Sequence, residues 1–201
     1  MAKVKLTKTE LKAQTDALKR FQRFLPMLQL KKQQLQAEIA AIGARIEEVG
    51  ARERAARASL DGWVRLFSLS DERPARLVTF EGVVTGESNI AGVSVPVYQR
   101  IGAAAADLDL FDTPPWLDDA QAVIHRVLAL KAEGGVLATQ LRLVSHELNT
   151  TSQRVNLFEK VKIPQCMENI RVIKIALGDA QTASVTRGKI AKGRGKKEEA
   201  A

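Results

Sequence analysis

The feature that most constrains the fold is an apolar stripe of unusual length near the start of the chain. Alternate steps of three and four residues from Leu11 to Phe67 meet apolar residues everywhere except at Gln14, Lys32 and Glu53. Ordinary helices run about 8 to 20 residues, so an unbroken heptad pattern of this length is typical of a coiled coil. We therefore predict an N-terminal coiled-coil helix over residues 5–67.

A second stripe lies in the last third of the chain. It runs from Ala120 to Phe158, with Gly134 and Thr151 off the pattern, and then slips by about one residue. Beyond the slip we place Ile163, Met167, Ile170, Ile173 and Leu177 on the stripe. Each stripe is buried most simply against the other. The predicted fold class is all-α dominated: a long antiparallel two-helix coiled coil with its second helix at residues 116–177.

The register of this pairing follows from distance to the connecting segment. Both helices carry nearly unbroken heptads at matching distances from it, so these parts of the two stripes are predicted to meet. The residues expected in contact are Leu35, Ile39, Ile42 and Ile46 with Leu141, Val144 and Leu148.

Two prolines and a glycine pair interrupt the stripes. The apolar pattern resumes directly after Pro26 and Pro164, so we expect a bend or local unwinding of a continuing helix at each. An alternative is that Pro26 begins a new helix after a separate short one. Whether Gly134-Gly135 bends or breaks its helix is left open by the sequence.

The middle segment, residues 68–115, has a different character. Short β-branched runs flank the turn-forming residues 85–92, which predicts a small β-hairpin at about 76–98. Because Pro96 has no backbone N–H, its strand is expected at an edge. Residues 112–116, Asp-Thr-Pro-Pro-Trp, are typical of a helix start.

The net charge of +8 is concentrated at the chain ends. Residues 1–20 contain six Lys or Arg against two acids, and residues 187–201 contain the same numbers, so each end carries +4. Residues 178–201 are predicted to be a basic, disordered tail. Residues 101–125 contain five Asp and no Lys or Arg. Solvated ends and a functional charge axis explain this pattern equally well.

Residues for catalysis do not assemble into a known pattern. The chain has no phosphate-binding loop, and His125 and His146 are not spaced as a metal-binding pair. The single cysteine, Cys166, is interpreted as a packing residue. We expect no catalytic residue, cofactor or metal. With no apolar signal sequence or membrane-spanning run, a cytoplasmic location without membrane insertion is expected.

Three motifs carry a resemblance to a known family. Residues 152–164, Ser-Gln-Arg-Val-Asn-Leu-Phe-Glu-Lys-Val-Lys-Ile-Pro, resemble the Arg-Arg-Val-Asn-Ala-Leu-Glu…Ile-Pro signature of the D subunits of V/A-type rotary ATPases. Residues 89–96, Asn-Ile-Ala-Gly-Val-Ser-Val-Pro, look like the hairpin segment of that family, and residues 28–35 are similar to its N-terminal element. The chain departs from the signature at Gln153 and Phe158, and from the family's polar helix at Gly134-Gly135.

This resemblance implies a non-catalytic rotor shaft in the central stalk of an ATPase or ATP synthase. The implied partners are the catalytic and regulatory subunits of a hexamer, a small F subunit and a membrane-rotor socket, in a complex peripheral to the membrane. The residues expected to contact partners are Arg154, Asn156, Glu159, Asn89, Gly92, Pro96, Lys3, Lys5 and Lys8. The sequence leaves open whether the complex works as a synthase or as a pump, and whether it transports protons or sodium ions.

Two other functions are compatible with the stripes. A coiled-coil adaptor could bind nucleic acid or a filament through its basic tip, with binding that falls steeply with salt. A stand-alone structural coiled coil would explain the stripes but not the motifs at 89–96 and 152–164. The tip lacks interleaved aromatic residues, so direct nucleic-acid binding is not expected.

Overall fold

The computed structural model describes residues 4–62, 64–67, 77–108 and 113–198. Its helices are α1 (Lys8–Ala58), α2 (Val64–Phe67), α3 (Leu117–Leu157), a π-helix (Phe158–Lys162) and α4 (Ile163–Glu198), with strands β1 (Val78–Ile90) and β2 (Val93–Ala105) between α2 and α3. The chain divides into two compact units: the first is Met1–Leu30 with Thr151–Ala201, and the second is Lys31–Thr150. The predicted helix-dominated fold class with an inserted β-hairpin is confirmed.

Helix α1 follows the first stripe closely. Every stripe position from Leu11 to Leu60 is buried or half-buried, including the polar Gln14, Lys32 and Glu53. The helix continues through Pro26, so the alternative of two helices meeting there is wrong.

The end of α1 comes earlier than predicted. The helix stops at Ala58, and the amides of Leu60 and Asp61 bond to carbonyls only three residues back, those of Arg57 and Ala58. This tighter turn leads into the short helix α2, so the last part of residues 5–67 is not one continuous helix.

In the first unit, α1 packs antiparallel to the C-terminal helices. The rings of Phe21 and Phe158 lie 4.9 Å apart between centroids. Nearer the chain ends, Asn169 Nδ2 donates to Gln14 Oε1 at 3.4 Å. Residue numbers thus rise on one helix as they fall on the other, and Cys166 and Ile173 are buried in this unit.

The π-helix explains the slip in the second stripe. The amide of Ile163 bonds to the carbonyl of Phe158, five residues back, so this turn holds one residue more than an α-helical turn. The helix continues through Pro164. The prediction was wrong about Met167, which is 55% exposed, while Cys166 is 6% exposed. After the π-turn the inward positions are Ile163, Cys166, Ile170, Ile173 and Leu177.

The second unit contains the predicted heptad contacts. Its core groups buried Leu35, Ile42 and Val144, and half-buried Ile39, Ile46, Leu141 and Leu148 pack against them. Lys31 Nζ lies 2.7 Å from Glu147 Oε1, and Arg52 Nη2 lies 3.6 Å from Glu133 Oε1. Helix α3 runs unbroken through Gly134-Gly135.

The β-hairpin is longer and its turn tighter than predicted. Strands β1 and β2 pair antiparallel from Val78↔Ala105 to Ile90↔Val93, leaving only Ala91 and Gly92 in the turn. Both turn residues have positive φ, 50° and 85°, as two-residue turns that match strand twist require. Because the turn is this short, residues 85–90 lie in the ladder.

The basic tail also differs from the prediction. Helix α4 extends to Glu198, past Gly178, instead of giving way to a disordered segment. Alanines and long unbranched side chains between the glycines favour helix and offset a glycine cost of about 1 kcal/mol each. The side chains from residue 178 to 192 are exposed.

Candidate partner-binding surfaces

The three polar residues of the C-terminal signature lie on the surface of the first unit. Arg154 and Asn156 are on the last turn of α3, and Glu159 is on the π-helix. All three are exposed, and none makes a side-chain hydrogen bond or ion pair with any residue that the structure describes. An intramolecular polar network is therefore not their role within the described chain, and their side chains are available to a partner.

Exposed apolar side chains lie in the same unit as these polar residues, and two of them, Leu157 and Val161, are also close to the polar residues along the chain. Phe24 and Met27 on α1, and Leu157 and Val161 on the C-terminal side, are each between 42% and 60% exposed. We call these four residues the apolar belt. They follow within two turns of Phe21 or flank Phe158, whose rings pair inside the unit. Exposed apolar groups that cluster near a few charges are typical of protein–protein contact sites.

The heptad pattern did not predict this belt. The heptad assigns apolar residues to the seam, and the belt residues fall outside it. The available signal was local: Phe21, Phe24 and Met27 recur at three-residue spacing, which widens the apolar stripe beyond a two-helix seam.

The hairpin motif at 89–96 has a role inside the second unit. Asn89 Oδ1 accepts a hydrogen bond of 2.8 Å from the amide of Gly92, which fixes the turn. The carbonyl of Pro96 accepts a bond of 2.6 Å from Gln140 Nε2. Asn89 and Gly92 are exposed, so the turn also presents a surface next to these internal bonds.

A second apolar surface lies on strand β1. Phe80 and Val83 are partly exposed, and we call them the hairpin face; Val84 is also partly exposed but lies on the opposite side of the strand, because successive strand residues alternate. Phe80 and Val83 border a cavity of about 340 Å³ whose other walls are Leu128, Lys131 and Ala132 of α3. This cavity is mostly apolar, with one lysine at its edge.

The basic residues of the chain ends belong to the first unit. Lys5 and Lys8 are exposed at the start of α1, while Lys3 lies outside the described residues. Arg187, Lys189 and Lys192 are exposed on α4. In the second unit, Asp107, Asp118 and Asp119 are exposed around the start of α3.

Residues with catalytic potential are separated in the structure. Among the described residues, no three His, Cys, Asp or Glu side chains are grouped as metal ligands. His125 and His146 are exposed on α3. Cys166 is buried, and burial raises the pKa of its thiol, which keeps it in the unreactive neutral form. Within the described chain no helix has the length and apolar character that crossing a membrane requires.

Comparison with known proteins identifies the family of this chain. A family model for the D subunit of ATP synthase matches residues 10–193. The D subunit of the V-type ATP synthase of Borreliella burgdorferi is 43% identical over 193 residues, which cover 96% of this chain and 95% of that protein. The corresponding D subunits of Chlamydia caviae and Chlamydia muridarum are 36% and 35% identical, with 95% of this chain covered and 93% and 95% of theirs. The signature at 152–164, the hairpin between two long helices and these matches agree, and the chain belongs to the ATP synthase D-subunit family.

Proposed function

We propose that this chain is the central-stalk rotor subunit of a V/A-type ATPase or ATP synthase. It couples ATP hydrolysis or synthesis in a catalytic hexamer to ion translocation by rotating inside that hexamer. It contributes no catalytic residue, and it works on the cytoplasmic side as part of a complex peripheral to the membrane. The observation that carries the proposal is membership of the D-subunit family over nearly the whole chain.

The apolar belt suits contact with a surrounding ring. A rotating subunit must meet the same ring surface in many orientations, and apolar contacts are non-directional, so they persist through rotation. Bidentate charge pairs are directional, so they would favour one rotation angle of the rotor over the others. In this proposal the belt is the bearing surface, and Arg154 and Glu159 beside it distinguish one angle from another.

Coupling follows from the asymmetry of a single chain. Each catalytic site in the ring meets a different side of the rotor, because one chain has no threefold symmetry. Sites that contact different sides have different conformational equilibria, so nucleotide state and rotor angle bias one another.

The other surfaces are assigned by their chemistry. The hairpin face, Phe80 and Val83, is proposed to bind the small F subunit through its apolar cavity, with Asn89, Gly92 and Pro96 on the part of the hairpin nearer the turn. The acidic residues Asp107, Asp118 and Asp119 are proposed to face the membrane-rotor socket. The basic tip, with Lys3, Lys5 and Lys8, enters the hexamer and meets acidic loops through exposed ion pairs worth about 0–1 kcal/mol each.

The test is reconstitution of the hexamer with this chain and F, followed by single-molecule rotation and ATPase assays. The belt variant Phe24→Ser/Val161→Ser is expected to weaken hexamer assembly at least tenfold and to leave F binding unchanged. The matched variant Phe80→Ser/Val83→Ser is expected to weaken F binding and to leave hexamer assembly unchanged, since its residues are also exposed but lie on the hairpin face. If both pairs impaired the two interactions equally, the assignment of surfaces would be wrong.

Arg154→Ala separates coupling from assembly. Its side chain is exposed, so the isolated chain should keep its helicity and stability. In the reconstituted complex, ion transport per ATP is expected to fall. Failure of the wild-type chain to copurify with or rotate in the hexamer would refute the rotor function itself, and salt-sensitive DNA binding would instead favour the adaptor alternative.

A further inference from the structure

The β-hairpin is attached to the second unit at its base. Leu77 and Val78 are buried against Leu117 and Ala120 at the start of α3. Gln121 Nε2 of α3 donates to two carbonyls, those of Leu77 and Ala106, at 2.9 Å each. The base anchor therefore joins both ends of the hairpin to α3.

The hairpin is attached again near its turn, at a second level of the unit. Val95 is 1% exposed and packs in one cluster with Leu35 and Ile42 of α1 and Val144 of α3. Gln140 of α3 is 4% exposed and donates to the carbonyl of Pro96 at 2.6 Å. Unlike the base anchor, this tip anchor contacts both long helices.

Next to the tip anchor the hairpin borders a cavity of about 610 Å³, which is lined by Val97 and Tyr98 of the hairpin, by Gln140 of the anchor, and by charged side chains that include Arg45, Arg52 and Glu133. Further toward the base, Ile101 of β2 is buried. Burial raises the pKa of the Tyr98 phenol, and Glu133 adds to the shift. The hairpin is thus held at its base and near its turn, and a cavity lies beside the second of these anchors.

A two-helix heptad seam by itself specifies its axial register weakly. A slide of one heptad, about 10.5 Å, again brings apolar residues opposite apolar residues. In the second unit the ion pairs Lys31–Glu147 and Arg52–Glu133 oppose such a slide, but partly exposed pairs contribute only about 0–1 kcal/mol each. Another element is needed to make one register much better than its neighbours.

We propose that the β-hairpin is a cross-brace that fixes the axial register of α1 against α3, with Val95 and Gln140 as positioning residues. The base anchor holds the hairpin on α3, and the tip anchor inserts Val95 between the two helices. Sliding α1 by one heptad would replace Leu35 and Ile42 beside Val95 by seam residues of different shape. It would also bring a charged side chain, Lys32 or Glu53, to the place where Ile39 or Ile46 now packs beside the hairpin turn. The brace thereby keeps the two helices turning as one body, and this last role rests on the proposed rotor function.

The register is tested on the full chain by electron spin resonance distance measurement. Spin labels are placed at exposed Ala51 of α1 and Arg142 of α3 through Ala51→Cys and Arg142→Cys, with Cys166→Ser to remove the native thiol. The background chain should give one narrow distance distribution. Val95→Ala/Gln140→Met should broaden it about twofold or add a second, slid population. The control Val97→Ala, a partly exposed valine on the same strand, should leave it unchanged.

An unchanged distribution in Val95→Ala/Gln140→Met, with helicity retained, would overturn the brace. If that variant loses helicity, Gln140→Met alone carries the test, because it keeps the side-chain volume and removes only the hydrogen bond. In the reconstituted complex, Val95→Ala/Gln140→Met should raise the variance of the rotor angle about twofold at unchanged ATP turnover. Broadened distances with unchanged angular variance would keep the brace and refute its role in torque, while failure of wild-type rotation would refute only the rotor function.

Discussion

Truncating Ile42 tests whether the second unit is held by its heptad core. Ile42 is 1% exposed among Leu35, Val95 and Val144, which come from three different elements. Ile42→Ala removes three carbon groups, worth about 2.4 kcal/mol at about 0.8 kcal/mol per buried group. The side chains around the resulting cavity come from three elements and cannot easily move in to fill it, so the cavity adds to this cost. We therefore expect the free energy of unfolding to fall by about 3 kcal/mol.

The assay is urea unfolding of the full chain followed by far-ultraviolet circular dichroism, with amide exchange of residues 35–49 as a local readout. For a chain of this size, 3 kcal/mol corresponds to a Tm lower by about 6–12 °C. The matched control is Ile175→Ala, the same truncation at a side chain that is 51% exposed, with an expected loss of about 1 kcal/mol or less. Equal losses at the two positions would refute the buried-core reasoning. Ile42→Glu should cost still more, because it buries an unpaired charge.

Three further predictions concern the turn, the thiol and the π-helix. Gly92→Val should cost about 1–2 kcal/mol in urea unfolding because φ is +85°, whereas Gly134→Ala, with the nearest atom 3.9 Å from the added carbon, should be neutral or stabilising. Burial raises the pKa of the Cys166 thiol, so the native thiol should react slowly with a thiol reagent at pH 8, and rapid labelling of the native state would contradict this. The contribution of this thiol to the free energy of unfolding should be full below the ordinary thiol pKa and should be lost as the pH rises through the raised pKa. Deleting Lys160 should convert the π-turn into α-helix and leave circular dichroism and stability nearly unchanged. Deleting Asn149, which lies within α3 in the second unit, should destabilise the chain strongly in urea unfolding, because it shifts the heptad phase across the deletion without an extra residue to absorb it.

The sequence by itself predicted the two long helices, their antiparallel pairing and the heptad contacts around Ile42. These follow from periodicity, because a 3.5-residue apolar repeat can be buried only along a helix seam. The slip after Phe158 was visible as a change of phase, and the structure explains it as the extra residue of a π-turn. The functional motif at 152–164 could be recognised from its residue types and order alone.

Other features depend on contacts that periodicity does not encode. The end of α1 at Ala58 reflects a competing tight turn, and the length of the strands follows from the Ala91-Gly92 turn rather than from strand propensity. The apolar belt consists of residues that the heptad excludes, so only the packed unit distinguishes Phe24 and Val161 as exposed.

The division between sequence and structure is clearest at the β-hairpin. Its existence follows from local residue preferences, as does the position of its motif at 89–96. That Val95 is buried between α1 and α3, and that Gln140 bonds to the Pro96 carbonyl, was decided only by tertiary structure. The physical reason is that helix and turn formation depend on neighbours along the chain, whereas docking depends on shape and hydrogen-bond complementarity between segments 44 residues apart.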